Sequence, residues 1–298
     1  MNFKFKLLAA AALMAASVPA LAAMQGATSG NGELLLNVRY YNGAGNAGGD
    51  DMSALFDLGV TMNDFLANQN TSGFNMSWNL NTANYGSAFA DILAFAGANA
   101  ANIEFNVIAL DSTDTGVATG GARYLTTTAT NTFPALSNGG LNVFNAMDVY
   151  VTANNLRGTH ATEANGASTA VQADGSAVNP VYFGSINGPS GDTWAGKTTA
   201  DTTAKLGVAQ NFWFLTTSSL SNTGASSKTL FGYDLDGNGA LSATGVLGNE
   251  FGKWNVTADG MVSFANPAPV PEASTYGMML AGLGLVGFMA RRRMNRAV

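Results

Sequence analysis

Among ionisable residues that could take part in catalysis, acidic side chains are the most numerous. The chain has no cysteine and a single histidine, His160. A Ser-His-Asp arrangement would need that histidine as its base, but no Gly-x-Ser-x-Gly segment accompanies it. Its neighbours have the composition of a loop, so we expect His160 on the surface. With so few catalytic parts, we expect a protein that is not an enzyme.

Paired carboxyl groups keep one enzymatic alternative open, a secreted glycan hydrolase. Such an enzyme needs only two Asp or Glu side chains at a fixed separation. The sequence does not give the distances between its acidic residues, and acidic residues in loops are usually solvated. The candidates are Asp50, Asp51, Glu104, Asp111 and Asp114.

A calcium loop is suggested by the segment that begins at Asp234. Asp234, Asp236 and Asn238 place oxygen ligands at its first, third and fifth positions, and glycine follows at the sixth, as in the first half of an EF-hand loop. The twelfth position, where the bidentate glutamate belongs, is Gly245. A site of this kind would bind calcium weakly, at roughly 10⁻⁴ to 10⁻³ M. A plain hairpin turn explains the same residues, and both interpretations stay open.

Tryptophans and threonines suggest two kinds of binding surface. Trp78 and Trp213 lie in alternating strand patterns and are predicted to be core residues, whereas Trp194 lies in a glycine-rich loop, where it is available to stack on a sugar. A regular row of threonines matches an ice lattice, so an ice-surface binder is a further alternative to an ordinary exposed strand. The row consists of Thr126, Thr128, Thr130 and Thr132.

Both ends of the chain are basic, and the region between them is acidic. Residues 23–269 hold seven basic and eighteen acidic side chains. This excess of negative charge repels phosphate backbones and anionic headgroups, which argues against nucleic acid as a partner. The abundance of Gly, Asn, Thr and Ser favours strands and turns over exposed helices.

The first 22 residues have the three parts of a secretory signal peptide. Lys4 and Lys6 precede an apolar run over residues 7–16, and Ala20-Leu21-Ala22 provides a small-residue cleavage site. Cleavage is expected after Ala22 or Ala23. An N-terminal membrane anchor is the alternative, but the apolar run is too short to span a bilayer.

The last 29 residues also fall into three parts. Val270, Pro271 and Glu272 open a short motif over residues 270–275, in which the proline prevents a strand or helix from continuing. The apolar segment 276–290 would be about 22 Å long as a helix, barely enough to cross a bilayer. A basic cluster follows and is expected to stay cytoplasmic. It consists of Arg291, Arg292 and Arg293.

This tail resembles the PEP-CTERM sorting tail of Gram-negative bacteria, which one naming convention links to ice-binding proteins. The resemblance implies export, transient anchoring in the inner membrane, and processing by exosortase near Pro271 and Glu272. It also implies delivery to the cell surface or to the exopolysaccharide matrix of a biofilm. A plain single-span anchor is the alternative. The run 56–60 followed by 63–65 resembles a segment common in PEP-CTERM cargo, without an assigned role.

The region between signal peptide and tail has the pattern of a β-rich domain over residues 23–265, joined by a linker to the tail at 266–298. Alternating segments predict an opening hairpin, 33–41 with 52–60, and further strands at 73–81, 102–110, 122–128, 181–183, 211–216, 229–234 and 253–264. Helical spacing predicts a helix over 84–96 and a second between 141 and 156, whereas 157–203 is otherwise a long loop region.

These elements predict an antiparallel β-sandwich with one or two flanking helices. Together with the resemblance of the tail, they lead us to expect a structural or adhesive protein of the cell surface or extracellular matrix. Its expected partners are exosortase, the export machinery and exopolysaccharide, with calcium as the one candidate cofactor.

Overall fold

The computed structural model describes residues 23–41, 51–69, 73–111, 113, 122–129, 147–160, 162–171, 181–183, 202–217, 226–230, 252–266 and 273–294. The predicted signal peptide, the calcium loop with Asp234, Asp236 and Asn238, Trp194, and the sorting residues Val270, Pro271 and Glu272 lie outside these ranges.

Eleven strands of the described residues form one antiparallel sheet. Nine of them follow the order β3-β11-β10-β8-β5-β4-β1-β2-β6, and β7 and β9 pair with β4 and β8. The bounds are β1 Glu33–Tyr40, β2 Met52–Thr61, β3 Asn75–Asn79, β4 Ile103–Asp111, β5 Arg123–Thr128, β6 Ala167–Val171, β7 Ala204–Lys205, β8 Gln210–Thr217, β9 Ser226–Leu230, β10 Lys253–Val256 and β11 Met261–Ala265.

One face of the sheet encloses the main hydrophobic core. Successive residues of a strand point to opposite faces, and in β1 the alternate residues Leu34, Leu36 and Val38 face this core. All nine strands along the path contribute side chains to the same cluster, from Met76 in β3 to Ala167 in β6. The sheet must therefore curl round this inner cluster.

The opposite face is covered by a second, smaller apolar cluster. Tyr150 and Val151 pack there against residues of the central strands such as Leu35, Tyr124 and Trp213. The mainly antiparallel β fold with flanking helices is thus confirmed, and its strands form one continuous curled sheet.

Five α-helices occur in the described residues, namely α1 Met62–Asn68, α2 Thr82–Tyr85, α3 Ala88–Ala96, α4 Met147–Asn154 and α5 Ala273–Met294. Helices α1 to α3 contribute Phe65, Tyr85 and Phe89 to the inner cluster. The helix predicted over 84–96 is broken by Gly86, whose φ of 63° does not belong to a helix. Helix α4 falls within the second predicted helical region.

The stretch 157–203, predicted as a loop region apart from a strand at 181–183, contains a different strand. Ala167–Val171 forms β6 and pairs with β2, whereas residues 181–183 form no strand. The prediction was wrong here because β6 consists mainly of small and hydroxyl residues. Their burial comes from the partner strand β2 and from helix α3, and their own apolar pattern is weak.

Helix α5 contains the predicted apolar segment 276–290. Eight large apolar side chains of α5 are exposed, among them Met278, Leu283 and Phe288. Within the part of the chain that the structure describes, no helix meets the length and hydropathy needed to span a membrane.

Candidate binding cleft

An irregularity in β2 organises a cleft at the surface of the protein. Leu35 pairs with Asp57 and Glu33 pairs with Thr61, so β2 has two more residues than β1 between these pairs. Gly59 lies in this bulge with a φ of 64°, a conformation that glycine adopts without steric cost. Asp57 Oδ1 accepts a hydrogen bond from the Gly59 N–H at 2.8 Å. The run at 56–60 in the sequence therefore contains part of the bulge of β2.

Two aromatic side chains are fixed by the carbonyl groups of this bulge. Trp78 Nε1 donates to the Leu58 carbonyl at 3.0 Å, and the Tyr85 hydroxyl donates to the Asp57 carbonyl at 3.1 Å. The Trp78 indole also stacks on Trp254, with ring centroids 5.7 Å apart and an interplanar angle of 18°. Because Trp78 is only half-buried, its ring forms a rigid aromatic wall at the surface.

The opposite wall is the loop between α4 and β6. Its Asn165 side chain lies so close to the bulge that a Cβ at Gly59 would come within 2.3 Å of Asn165 Oδ1. The backbone N–H of Asp57 donates to the Gly166 carbonyl at 3.0 Å. These contacts hold the loop directly against β2.

Both ends of this loop are anchored. On the α4 side, the Tyr150 hydroxyl donates to Asn37 Oδ1 in the sheet at 2.8 Å. On the β6 side, the Ser168 hydroxyl donates to Asn154 Oδ1 at 2.7 Å. The loop that carries Asn165 therefore has a position set by buried hydrogen bonds at each end.

The space between these walls is a cleft of about 490 Å³, within the range of roughly 300–1,000 Å³ that small-ligand sites have. The polar side chains that line the cleft, apart from the buried Tyr85, are exposed, and all of them except Glu163 are neutral. Lys and Arg do not occur among its lining residues, which are Ser77, Trp78, Asn79, Ala83, Asn84, Tyr85, Glu163, Ala164 and Asn165.

Several polar side chains of the cleft are available to a ligand. In the described residues, those of Ser77, Asn79, Glu163 and Asn165 make no hydrogen bond within the protein. Asn84, by contrast, donates through Nδ2 to the Asn79 carbonyl at 3.0 Å. The asparagine amides each offer donors and an acceptor, so the arrangement suits a ligand rich in hydroxyl groups.

His160 lies beneath this loop, and the prediction of a surface histidine was wrong. The side chain is buried, with 1% exposure, because the loop folds over it and Gly166 packs against its backbone. Neither ring nitrogen makes a well-formed hydrogen bond within the described residues. Burial lowers the pKa of His160 to about 4, opposed only in part by the nearby Leu55 carbonyl.

Asp57 is a second buried ionisable group at the bulge, with 1% exposure. Burial raises its pKa to about 8, and the negative charge of Glu33 adds to the shift, while the hydrogen bond from Gly59 opposes it. Burial raises the pKa of Glu33 as well. Neither carboxyl group lines the cleft, so this pair lies out of reach of a ligand there.

The carboxylates considered for a hydrolase do not form a pair in the cleft. Arg123 binds Asp111 through Nε and Nη2, at 2.9 and 2.7 Å to Oδ2, and Arg39 binds Glu104 at 3.1 Å. Asp51 is buried, and Asp50 and Asp114 lie outside the described residues. The described members of this set are therefore either paired with an arginine or buried, as expected of residues that stabilise the fold.

The tryptophans and threonines considered as binding residues differ in their exposure. Trp213 is buried, as predicted, whereas Trp78 is half-buried and lines the cleft. Thr126 and Thr128 are buried in β5 and form no exposed row; Thr130 and Thr132 lie outside the described residues. No group of three or more His, Asp or Glu side chains suited to a metal ion occurs in the described ranges.

Sequence reasoning missed the asparagines that line the cleft. A usable signal was the segment 77–84, in which a tryptophan is followed by asparagines at 79, 81 and 84. Asn165, on the other wall, is more than eighty residues further along the chain, and no local pattern joins it to this segment.

Comparison with known proteins identifies the tail. The family model for the PEP-CTERM protein-sorting motif matches residues 269–293. The chain therefore carries this motif, which indicates export, a transient membrane anchor through the tail, and processing by exosortase. Neither the curated proteins nor the solved structures include a match to the chain.

Proposed function

We propose that this exosortase-sorted exported protein is a binding protein rather than an enzyme, and that it holds polysaccharide of the cell surface or extracellular matrix. The binding site is the cleft between Trp78 and Asn165. Its role in the matrix is structural or adhesive.

The observation that carries the proposal is the half-buried Trp78, held rigidly beside available amide groups. A sugar ring presents an apolar face of C–H groups and a rim of hydroxyl groups. The indole, already fixed by Trp254 and the Leu58 carbonyl, offers a flat surface for that face at little entropic cost. Asn79 and Asn165 offer donors and acceptors to the hydroxyl groups.

The charge of the site supports a glycan over other ligands. No basic side chain lines the cleft, and phosphate or carboxylate ligands normally require one. The sorting motif indicates export, and a glycan ligand of the kind proposed would be met outside the cell.

The same lining supports binding over hydrolysis. Glu163 is the one carboxyl group among the residues that line this cleft, and a glycosidase of the usual kind needs two on either side of the bond. The surface position of the site, without an enclosed cavity, fits a polymer that passes through it.

The test measures binding of the exported protein to the exopolysaccharide of its own host. Asn79→Ala and Asn165→Ala each remove one ligand contact, and each should weaken binding about two- to tenfold. Asn99→Ala is the matched control, because Asn99 is exposed and lies outside the cleft. If all three variants bind the exopolysaccharide equally well, the cleft is not the binding site. If the protein releases shorter saccharides from the exopolysaccharide, it is an enzyme and the proposal is wrong.

A further inference from the structure

A second, smaller cleft lies next to the first, with Tyr85 as a shared lining residue. Its volume is about 100 Å³, and Tyr85 lines both clefts. Both also lie between the same two segments, residues 83–91 on one side and the region 158–169 on the other. Polar side chains of the second cleft include Ser87, Asp91 and Thr159.

Gly86 lines the second cleft beside Tyr85. A Cβ at this position would lie 3.4 Å from the methyl group of Thr159, which is van der Waals contact. Because glycine has no Cβ, a gap remains between α2 and the loop at this point. Because Tyr85 lines both clefts, the two lie next to each other, and together they are called the groove.

The charged side chains along this groove have one sign. Glu163 lies in the first cleft and Asp91 in the second, both exposed, and no Lys or Arg lines either cleft. Asp91 Oδ2 accepts a hydrogen bond from the Ser87 hydroxyl at 2.8 Å, which holds the carboxylate in place. An acidic polysaccharide would bring like charges together here, whereas an ammonium group would find a partner in each cleft.

We propose that the groove binds a linear glycan with free amino groups, and that Glu163 and Asp91 each pair with one ammonium group of the same chain. Trp78 and the asparagines contact the sugar ring in the first cleft. The second cleft receives a later sugar of the chain. This inference rests on the proposed glycan-binding function and specifies the ligand class.

The experiment compares three probes of equal length by calorimetry at low salt: a glucosamine hexamer, an N-acetylglucosamine hexamer and a glucuronate hexamer. The glucosamine hexamer should bind most tightly, and the glucuronate hexamer most weakly. Added salt should weaken binding of the glucosamine hexamer, because salt screens exposed ion pairs. A glucosamine dimer should bind more weakly than the hexamer, because it reaches one cleft only.

The variants Glu163→Gln and Asp91→Asn remove one charge each and keep the shape. Each should weaken binding of the glucosamine hexamer about two- to fivefold and leave the N-acetylated hexamer unchanged. For the dimer, one of the two substitutions should lose its effect. Asp148→Asn, at an acidic residue outside both clefts, is the matched control and should change nothing.

Two failures are distinguishable. In the first, the N-acetylated hexamer binds as well as the glucosamine hexamer, and neither charge variant changes the affinity for the glucosamine hexamer. That result contradicts the assignment to amino sugars and leaves the proposed glycan binding intact. If Asn79→Ala and Asn165→Ala also leave binding to the host polysaccharide unchanged, the proposed function falls with it.

Discussion

Trp78 Nε1 lies 3.0 Å from the carbonyl oxygen of Leu58. This hydrogen bond joins β3, the first strand along the sheet path, to β2, the last but one. It satisfies the carbonyl group of a residue that has no partner on β1 in the register of the bulge. It also fixes the indole that forms one wall of the cleft, so stability and the proposed binding depend on the same contact.

Replacing Trp78 by Phe should therefore destabilise the protein beyond the loss of ring volume. The Leu58 carbonyl would lose its donor, a cost of about 1–2 kcal/mol in the free energy of unfolding. Trp254→Phe is the matched control, since Trp254 Nε1 makes no hydrogen bond within the described residues. Urea denaturation of both variants measures the difference. An equal loss in each would show that the hydrogen bond contributes nothing.

His160 should make the protein less stable in acid. Its pKa is about 4 when folded and about 6.5 when unfolded, so the unfolded chain binds the proton more readily. Stability from neutral His160 is present above about pH 6.5 and is lost progressively as the pH falls to 4. The full loss is roughly 3 kcal/mol at pH values below 4.

Comparison of His160→Phe with the unmodified protein isolates this effect from other titrations. The difference in unfolding free energy between the two should change by that amount from neutral pH to pH 4. Thermal unfolding across this pH range provides the measurement. A difference that stays constant with pH would mean that the imidazole is hydrated in the folded protein.

Asp57 should produce the opposite dependence between about pH 3.8 and pH 8. Its folded pKa of about 8 lies above the ordinary value of 3.8, so the folded state favours the protonated carboxyl. Its contribution to stability is present below about pH 3.8 and declines as the pH rises to 8. Asp57→Asn keeps an oxygen acceptor for the Gly59 N–H and removes the charge. The variant should have the higher melting temperature above pH 8, and a lower one there would contradict the buried, protonated carboxyl.

The sorting motif predicts a processed mature protein. Intact mass should show loss of the tail near Pro271 and Glu272 in cells with exosortase, and the unprocessed chain in cells without it. Pro271→Ala with Glu272→Gln should leave the chain unprocessed in both strains, because the substitutions alter the recognition motif. A product that retains Arg291, Arg292 and Arg293 in every strain would instead indicate a permanent membrane anchor.

Much of the fold was predictable from local pattern. The hairpin of β1 and β2, the pairing of β4 with β5, and the turn between β10 and β11 all follow from alternation interrupted by turn residues. These features depend on neighbours in the sequence. Strand β6 was missed because its burial depends on β2 and α3, which are distant along the chain.

The sequence by itself determined that the chain is exported with a sorting tail, and it determined the class of fold. A sorting motif is recognised as a linear segment, and alternation defines strands without reference to their partners. Only the tertiary structure decided which polar residues share a site. Trp78 and Asn165 meet because the bulge of β2 holds both walls, and the bulge exists through pairings among β1, β2 and the loop before β6. Contacts between distant segments produce no periodic pattern in the sequence. The cleft and the burial of His160 could therefore be recognised only from the tertiary structure.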